Sequence, residues 1–121
     1  MNKLTALELI DFVLDSIELN RKRFLNIKIS DDFLLNDDNI TKMEAILMRL
    51  QASGEAIKNL QKRDEILLSK VALKQYWDEI IRFGDLLSYH YTDIQADIVF
   101  EICSEELDEL EEKMKKLKEL L

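Results

Sequence analysis

The side chains of this chain with the widest chemical repertoire lie together in one stretch, WDEIIRFGDLLSYHYTDI, residues 77–94. It holds the only His, the only Trp and two of the three Tyr. Asp85 and Tyr89 are four residues apart, so on a helix they share a face and a carboxylate can contact a hydroxyl. His90 and Tyr91 follow at the predicted helix end, where functional groups are often exposed on a rigid scaffold. Composition alone favours a simpler interpretation, in which the aromatic cluster is core and the His a surface residue.

Other chemistries lack the residues they require. A metal site needs several convergent ligands, and here the single His90 and the single Cys103 are thirteen residues apart without further ligand spacing. The chain also has no glycine-rich phosphate loop, nucleophile elbow or useful Cys/His pairing. We therefore expect no metal and no cofactor.

The composition predicts an all-α protein. With 121 residues the chain suits a single domain, residues 1–121. It is 47% hydrophobic and 35% charged, with no Pro and only two Gly, which favours long helices over strands joined by tight turns.

The lone Cys cannot form an intramolecular disulfide, and charges interrupt the amino-terminal segment where a signal peptide needs an apolar run. No apolar run approaches the roughly 20 residues that span a bilayer. We expect a cytoplasmic protein without membrane contact.

The net charge of −8 limits binding to nucleic acids. Non-specific affinity for phosphate backbones comes largely from Lys and Arg that displace counterions. We therefore expect no DNA binding, and any RNA contact must be local. Two loose basic clusters, at residues 21–28 and 58–63, are interpreted as solvated helix surface.

Hydrophobic periodicity predicts five helices, at about residues 3–24, 39–62, 64–73, 75–89 and 94–120. A short turn is expected near Asp32 to Leu35, and Asp38 or Asn39 is the predicted N-cap of the second helix. That helix contains Gly54. Gly costs about 1 kcal/mol relative to Ala in a helix, so we expect another backbone to pack closely there.

The apolar stripes of three helices define the predicted core. On the first helix the stripe comprises Leu7, Ile10, Leu14, Ile17 and Phe24. On the second it comprises Ile40, Met43, Leu47, Leu50, Gly54, Ile57 and Gln61. On the last it begins with Ile94, Ile98 and Ile102 and continues with Leu107, Leu110, Met114, Leu117 and Leu121. The last helix also carries favourably ordered ion pairs at Glu109–Lys113, Glu111–Lys115 and Glu112–Lys116.

Two blocks of the sequence carry a family resemblance. The segment SDDFLLNDDNITKMEAILMRLQASGEAIKNL contains an acidic-Phe motif and a helix ending in Gly54-Glu55-Ala56. The segment YWDEIIRFGDLLSYHYTDI is similar to the signature Trp-x-x-Ile-x-x-Phe/Met-Arg-Asn/Asp-x-Leu-x-His-x-Tyr. Together they resemble the HEPN-fold ribonucleases of the HepT type, toxins encoded beside minimal nucleotidyltransferase antitoxins. The resemblance implies an antiparallel up-and-down bundle of four to five helices and a homodimer, with the 77–94 segments of both subunits lining a cleft.

Two signature positions depart from the family. The residues that match are Trp77, Ile80, Phe83, Asp85, Leu87 and Tyr91. Gly84 stands where the family has Arg, and Tyr89 stands where it has His. The chain's own Arg82 and His90 are displaced by two and one residues, which turns them by roughly 200° and 100° on a helix.

The resemblance implies metal-independent RNA cleavage, with His as the acid or base and Arg stabilising the phosphorane charge. It places the catalytic positions at Gly84, Asp85, Tyr89, His90 and Tyr91, and substrate contacts at Arg82 and Glu55. Tyr91 is the implied site of adenylylation by the partner. Either Arg82 and His90 substitute from shifted positions, or this form is inactive.

We expect a HepT-type toxin component whose RNA endonuclease activity is weak or absent. An alternative is a non-catalytic substrate-binding or docking subunit of a nucleotidyltransferase. A third is a helical dimerisation protein without nucleotide chemistry. Cleavage of RNA by the purified protein separates the first from the second.

Overall fold

A computed structural model describes residues 2–88 and 92–121, and in these ranges the backbone is helical with no strand. The α-helices are α1 (Lys3–Phe24), α2 (Asp37–Arg63), α3 (Glu65–Ser69), α4 (Lys74–Leu86), α5 (Thr92–Glu101) and α6 (Leu107–Glu119). A 3₁₀ turn at Ser30–Leu34 precedes α2, and a π-helical segment at Ile102–Glu106 joins α5 to α6. The predicted all-α fold is confirmed.

The long helices pack antiparallel to their neighbours, with α2 between α1 and α4. Contacts along α1 and α2 run in opposite directions, because Asn20 pairs with Ile46 whereas Ser16 pairs with Arg49. The α2–α4 pair is also antiparallel, with Gln61 bonded to Asp78 at one end and Gly54 against Gly84 farther along. Helix α6 then packs along α1. The predicted antiparallel bundle is therefore observed.

The predicted bounds of the helices are close to those observed, with one wrong cap. Helix α2 begins at Asp37 because Asn36 is its N-cap, and the Asn36 side chain accepts a hydrogen bond from the Asn39 backbone N–H at 2.8 Å. Asp38 and Asn39 therefore lie inside the first turn, where the negative charge of Asp38 interacts favourably with the positive end of the helix dipole. Helix α3 is shorter than predicted, because the helical backbone ends at Ser69.

The core follows the predicted stripes with two differences in register. Ile46 is fully buried where Leu47 was predicted, so the buried stripe of α2 is turned slightly toward α1. On the last helix Ile94 is 43% exposed, and the buried positions are Ala96, Val99 and Ile102. The next buried residue, Leu107, follows Ile102 by five positions, which is the repeat of a π-helix rather than of an α-helix. Before this segment the buried positions recur every three residues, so the predicted spacing of four was wrong at Ile94.

Ion pairs join α6 to α1 and stabilise α6 along its length. Arg21 contacts Asp108 at 2.6 Å and Glu111 at 2.8 Å, and Lys118 contacts Asp11 at 2.7 Å. The three predicted pairs within α6 are also present, at 3.1, 3.9 and 3.1 Å. Across residues 2–88 and 92–121, no helix combines the length and the apolar character that a membrane crossing requires.

Candidate functional site

Helices α2 and α4 touch at a pair of glycines. A Cβ atom built on Gly54 would lie 3.5 Å from the Cα of Gly84, and one built on Gly84 would lie 3.5 Å from the Cα of Gly54. Both glycines have ordinary helical backbones, since no residue of the described chain has a positive φ. The close approach predicted at Gly54 is thus confirmed, and its partner is Gly84. Larger side chains at both positions would force the two helices apart.

A polar cleft opens on the surface beside this crossing. Its volume is about 150 Å³. The residues that line it are Gln51, Gly54, Glu55, Ile81, Gly84, Asp85 and Ser88. Three of the predicted site residues, Glu55, Gly84 and Asp85, therefore come together. We call this space the glycine cleft.

The other predicted site residues lie elsewhere. Arg82 is exposed and does not line the glycine cleft, and its guanidinium lies 5.4 Å from the ring centre of Phe83. Tyr89, His90 and Tyr91 fall outside the described residues, and so does the predicted contact between Asp85 and Tyr89. The part of the predicted site that the structure describes is therefore the glycine cleft with Glu55, Gly84 and Asp85.

Helix α4 ends beside the cleft through local hydrogen bonds. The Ser88 hydroxyl donates to the Asp85 carbonyl oxygen at 2.7 Å, and the Leu87 backbone N–H donates to the Phe83 carbonyl oxygen. Leu87 is fully buried, and its carbonyl oxygen accepts a hydrogen bond from the Gln95 side chain of α5 at 3.2 Å. These contacts hold the start of α5 against the end of α4, so residues 89–91 join two fixed points.

Trp77 belongs to the core and not to the cleft. It is 1% exposed, and its indole N–H donates to the Leu68 carbonyl oxygen at 3.0 Å. The ring of Tyr76 meets it edge to face with ring centres 5.1 Å apart. The interpretation of the aromatic cluster as core is therefore correct for Trp77, which anchors α4 to α3.

Beneath the glycine pair lies a small apolar void that the sequence did not predict. Its volume is about 30 Å³, and Glu106 of the π-helical segment reaches its rim. Burial raises the pKa of the Glu106 carboxyl above its ordinary value of 4.5, and the like charges of Glu109, Glu101, Glu105 and Glu79 raise it further. The five-residue spacing between Ile102 and Leu107 was the only sequence signal for this placement.

The site has few groups suited to metal binding or thiol chemistry. Within the described ranges, no group of three or more His, Cys, Asp or Glu side chains is arranged to hold a metal ion. Burial raises the pKa of the Cys103 thiol to about 12. Its thiolate is therefore scarce at neutral pH, and the thiolate is the reactive form.

The electrostatics of the glycine cleft do not favour an anionic substrate. Its described lining has two carboxylates, Glu55 and Asp85, and no Lys or Arg. An RNA phosphate placed there would meet like charge, and a developing phosphorane would find no cation among these residues. The arrangement can accept hydrogen bonds, and Gln51 and Ser88 can donate them, but its described lining has no cation to balance negative charge.

Comparison with known proteins gives one match. A family model described as "Ribonuclease HepT-like" matches residues 13–117. No curated protein and no solved structure matches the chain. The matched region covers α2 to α5 completely and most of α1 and α6, and it includes both blocks that carry the resemblance. The chain therefore belongs to the HepT-like ribonuclease family.

Proposed function

We propose that this protein is the toxin component of a HepT-type toxin–antitoxin pair, and that in this form it cleaves RNA weakly or not at all. In the proposed system it is a cytoplasmic homodimer, neutralised by a nucleotidyltransferase. Membership of the HepT-like ribonuclease family supports the ribonuclease fold. The weak activity is an inference from the glycine cleft.

The observation that carries the proposal is the contact between Gly54 and Gly84. The resemblance places the family's arginine at position 84. Here that position has no side chain and packs against Gly54, so that a Cβ built on it would lie 3.5 Å from the Gly54 Cα. The described lining of the cleft adds no other cation. Loss of one positioned charge stabiliser costs about 10²–10³-fold in rate, and loss of an acid–base group costs about 10²–10⁴-fold. With Tyr89 at the histidine position as well, cleavage should be near background.

The cleft has room for the missing side chain. A Cβ on Gly84 would make ordinary contacts, at 3.5 Å to Gly54 and 4.0 Å to the Leu50 carbonyl oxygen. An arginine there would extend into the glycine cleft, where Glu55 and Asp85 supply carboxylates that can orient a guanidinium. These carboxylates therefore fit a site from which the arginine has been lost.

The proposed regulation acts through Tyr91. Adenylylation of this hydroxyl by the nucleotidyltransferase would add a negative charge and bulk next to the end of α4. In a cleft that already has two carboxylates, the modification would repel an RNA phosphate further. The proposed dimer brings the 77–94 segments of two subunits together at this place.

The acidic cleft also favours a second candidate function. A subunit that docks to a nucleotidyltransferase without cleaving RNA needs no cation at position 84, and the carboxylates of Glu55 and Asp85 suit a basic surface on such a partner. In this case Gly84→Arg with Tyr89→His would not produce a ribonuclease.

The experiment is a restoration of activity. RNA cleavage is measured for the unmodified protein, for Gly84→Arg, for Tyr89→His and for the double variant. We expect the double variant to exceed the unmodified protein by at least about 10²-fold, because it regains both an acid–base group and a charge stabiliser. Gly84→Met with Tyr89→His is the matched control, since Met has similar length without the charge. If the double variant is folded and does not cleave RNA, the docking function replaces the proposal.

A further inference from the structure

A second cleft lies between α1 and α2, on another face of α2. Its volume is about 300 Å³, close to the lower limit for ligand sites in proteins. Its lining consists of Phe12, Arg23, Ala45, Met48, Arg49 and Ala52. We call it the arginine groove. No predicted site residue contributes to it.

The two arginines of this groove have only neutral partners. Arg23 donates to the Asn20 side-chain oxygen and to the Ala45 carbonyl oxygen, both at 3.4 Å, and Arg49 donates to the Ser16 hydroxyl at 3.3 Å. Neither forms an ion pair in the part of the chain that the structure describes. Arg63 and Arg82 also form no ion pair among the described residues, but neither of them lines this groove.

Arg21, in contrast, forms ion pairs that join α1 to α6. Its two guanidinium contacts, to Asp108 and Glu111, are 2.6 and 2.8 Å long, and hydrogen bonding to Glu111 is the main cause of its raised pKa. The bonds of Arg23 and Arg49, at 3.3–3.4 Å, are longer, and their acceptors are uncharged. Each guanidinium has five N–H donors, so most of them remain available to an anion.

The groove also offers a flat surface. The Arg49 guanidinium lies 5.1 Å from the centre of the Phe12 ring, and Met48 beside it is 67% exposed. The Arg49 guanidinium thus makes a cation–π contact with Phe12, and nucleobases stack on guanidinium planes and aromatic rings. A phosphate donor and a stacking surface thus occur together on an otherwise acidic protein.

The groove is close to the glycine cleft. Ala52 of the groove and Glu55 of the cleft are three residues apart on α2, which makes them neighbours on the helix surface. From Arg49 to Glu55 the rise along the helix is about 9 Å. One extended strand can therefore contact both places.

We propose that the arginine groove binds single-stranded RNA, with Arg23 and Arg49 donating to backbone phosphates and a base stacking on the surface of Arg49 and Met48. The proposal rests on the proposed function and deepens it, because it assigns substrate binding to residues outside the glycine cleft. An acidic peptide would also pair with arginines. The stacked guanidinium and the absence of Lys from the lining favour a planar, phosphate-bearing ligand.

The test measures binding of a short, fluorescently labelled single-stranded RNA by polarisation at low salt. Arg23→Gln and Arg49→Gln should each weaken binding about tenfold, since a hydrogen bond to a charged group contributes about 1.5–3 kcal/mol. Arg63→Gln is the matched control, because Arg63 is exposed at the end of the same helix and lines neither cleft. Arg49→Lys keeps the charge and loses the planar stacking, so it should recover only part of the affinity. Circular dichroism confirms that each variant is folded.

The salt dependence provides a second measurement. Two phosphate contacts predict a slope of about −1.4 for log K against log salt, and each Arg→Gln change should reduce its magnitude by about 0.7. Equal binding by the groove variants and by Arg63→Gln overturns the proposal, as does an absence of RNA binding. Binding of an oligoglutamate peptide instead of RNA also overturns it, in favour of a protein ligand.

This test fails independently of the proposed function. If Gly84→Arg with Tyr89→His cleaves RNA while the groove variants bind RNA normally, only the groove assignment is wrong. If the groove variants lose RNA binding while the double variant shows no cleavage, only the ribonuclease function is wrong.

Discussion

The glycine cleft and the arginine groove lie beside the same helix, α2, and differ in the charge that each leaves without a partner. The glycine cleft has Glu55 and Asp85 and no cation in its described lining. The arginine groove has Arg23 and Arg49, which form no ion pair among the described residues. Gly84, where the resemblance implies an arginine, is thus without charge, while two arginines nearby have no carboxylate partner.

This difference shows that the location of unpaired charge is more informative than the net charge. A value of −8 argues against general affinity for phosphate. Local binding depends on which cations keep free donors. In our two proposals, cleavage and RNA binding are therefore assigned to different faces of α2, and each can be tested alone.

The largest expected effect on stability comes from adding a bulky side chain at the glycine contact, compared with adding the same side chain in the arginine groove. Gly54→Leu should lower the free energy of unfolding by about 1–3 kcal/mol. Its Cβ alone would make an ordinary contact, 3.5 Å from the Gly84 Cα, but the rest of the side chain has to be placed at a buried helix crossing beside a void of only about 30 Å³. Ala52→Leu, two residues away, is the matched control and should change stability by less than about 0.5 kcal/mol, since its side chain projects into the open arginine groove. Urea denaturation measures both. Equal losses for the two variants would mean that the glycine contact is not tightly packed.

A smaller effect on stability is expected when the ion-paired arginine of α1 is replaced, compared with replacing the arginines of the groove. Arg21→Gln should lower the free energy of unfolding by about 0.5–1 kcal/mol at low salt, because it removes the contacts of α1 with Asp108 and Glu111. Added salt should reduce this difference through screening. Arg23→Gln and Arg49→Gln should change stability by less than about 0.5 kcal/mol. Thermal unfolding at two salt concentrations makes the comparison, and a large loss with Arg49→Gln would show that this arginine stabilises the fold.

The smallest effect concerns the void under the glycine pair. The raised pKa of Glu106 means that the folded state binds its proton more tightly than the unfolded state does. Its contribution to stability is full below about pH 4.5, the ordinary value, and is lost as the pH rises through the raised value. Glu106→Gln should therefore raise the melting temperature slightly at pH 7 and have little effect near pH 4. Exposed Glu119→Gln is the control. A stabilisation by Glu106→Gln that persists unchanged at pH 4 would contradict the raised pKa.

Most of the fold was predictable because periodicity reports which face of a helix is buried. The stripe of Leu107, Leu110, Met114 and Leu117 is buried as predicted, and the pairs of α6 follow from their spacing of four. The stripe predicted before it was wrong at Ile94, because the buried residues Ala96, Val99 and Ile102 recur every three positions rather than every four. Asn36 was missed as the N-cap because several Asp and Asn residues in succession offer equivalent capping side chains.

The site was predictable in part. Gly54 indicated a close contact, and the signature indicated Gly84 and Asp85, but only the structure shows that the two glycines pack against each other. Local patterns do not encode which helices cross, so this pairing could not be derived from spacing. The arginine groove had no sequence signal, because an arginine without a carboxylate partner looks the same in the sequence as one with two. The basic cluster that contains both Arg21 and Arg23 was interpreted as uniform solvated surface, whereas Arg21 is ion-paired and Arg23 is not.

The most direct test of the central claim is RNA cleavage by the unmodified protein in excess over its substrate. We predict a rate no greater than that of a buffer control, because position 84 has no cation and position 89 has a Tyr, whose ordinary pKa of about 10 makes it a poor base at neutral pH. Cleavage well above that control which His90→Ala abolishes would contradict the account. It would show that His90 acts as the catalytic base from its shifted position and that the glycine cleft is an active site as it stands.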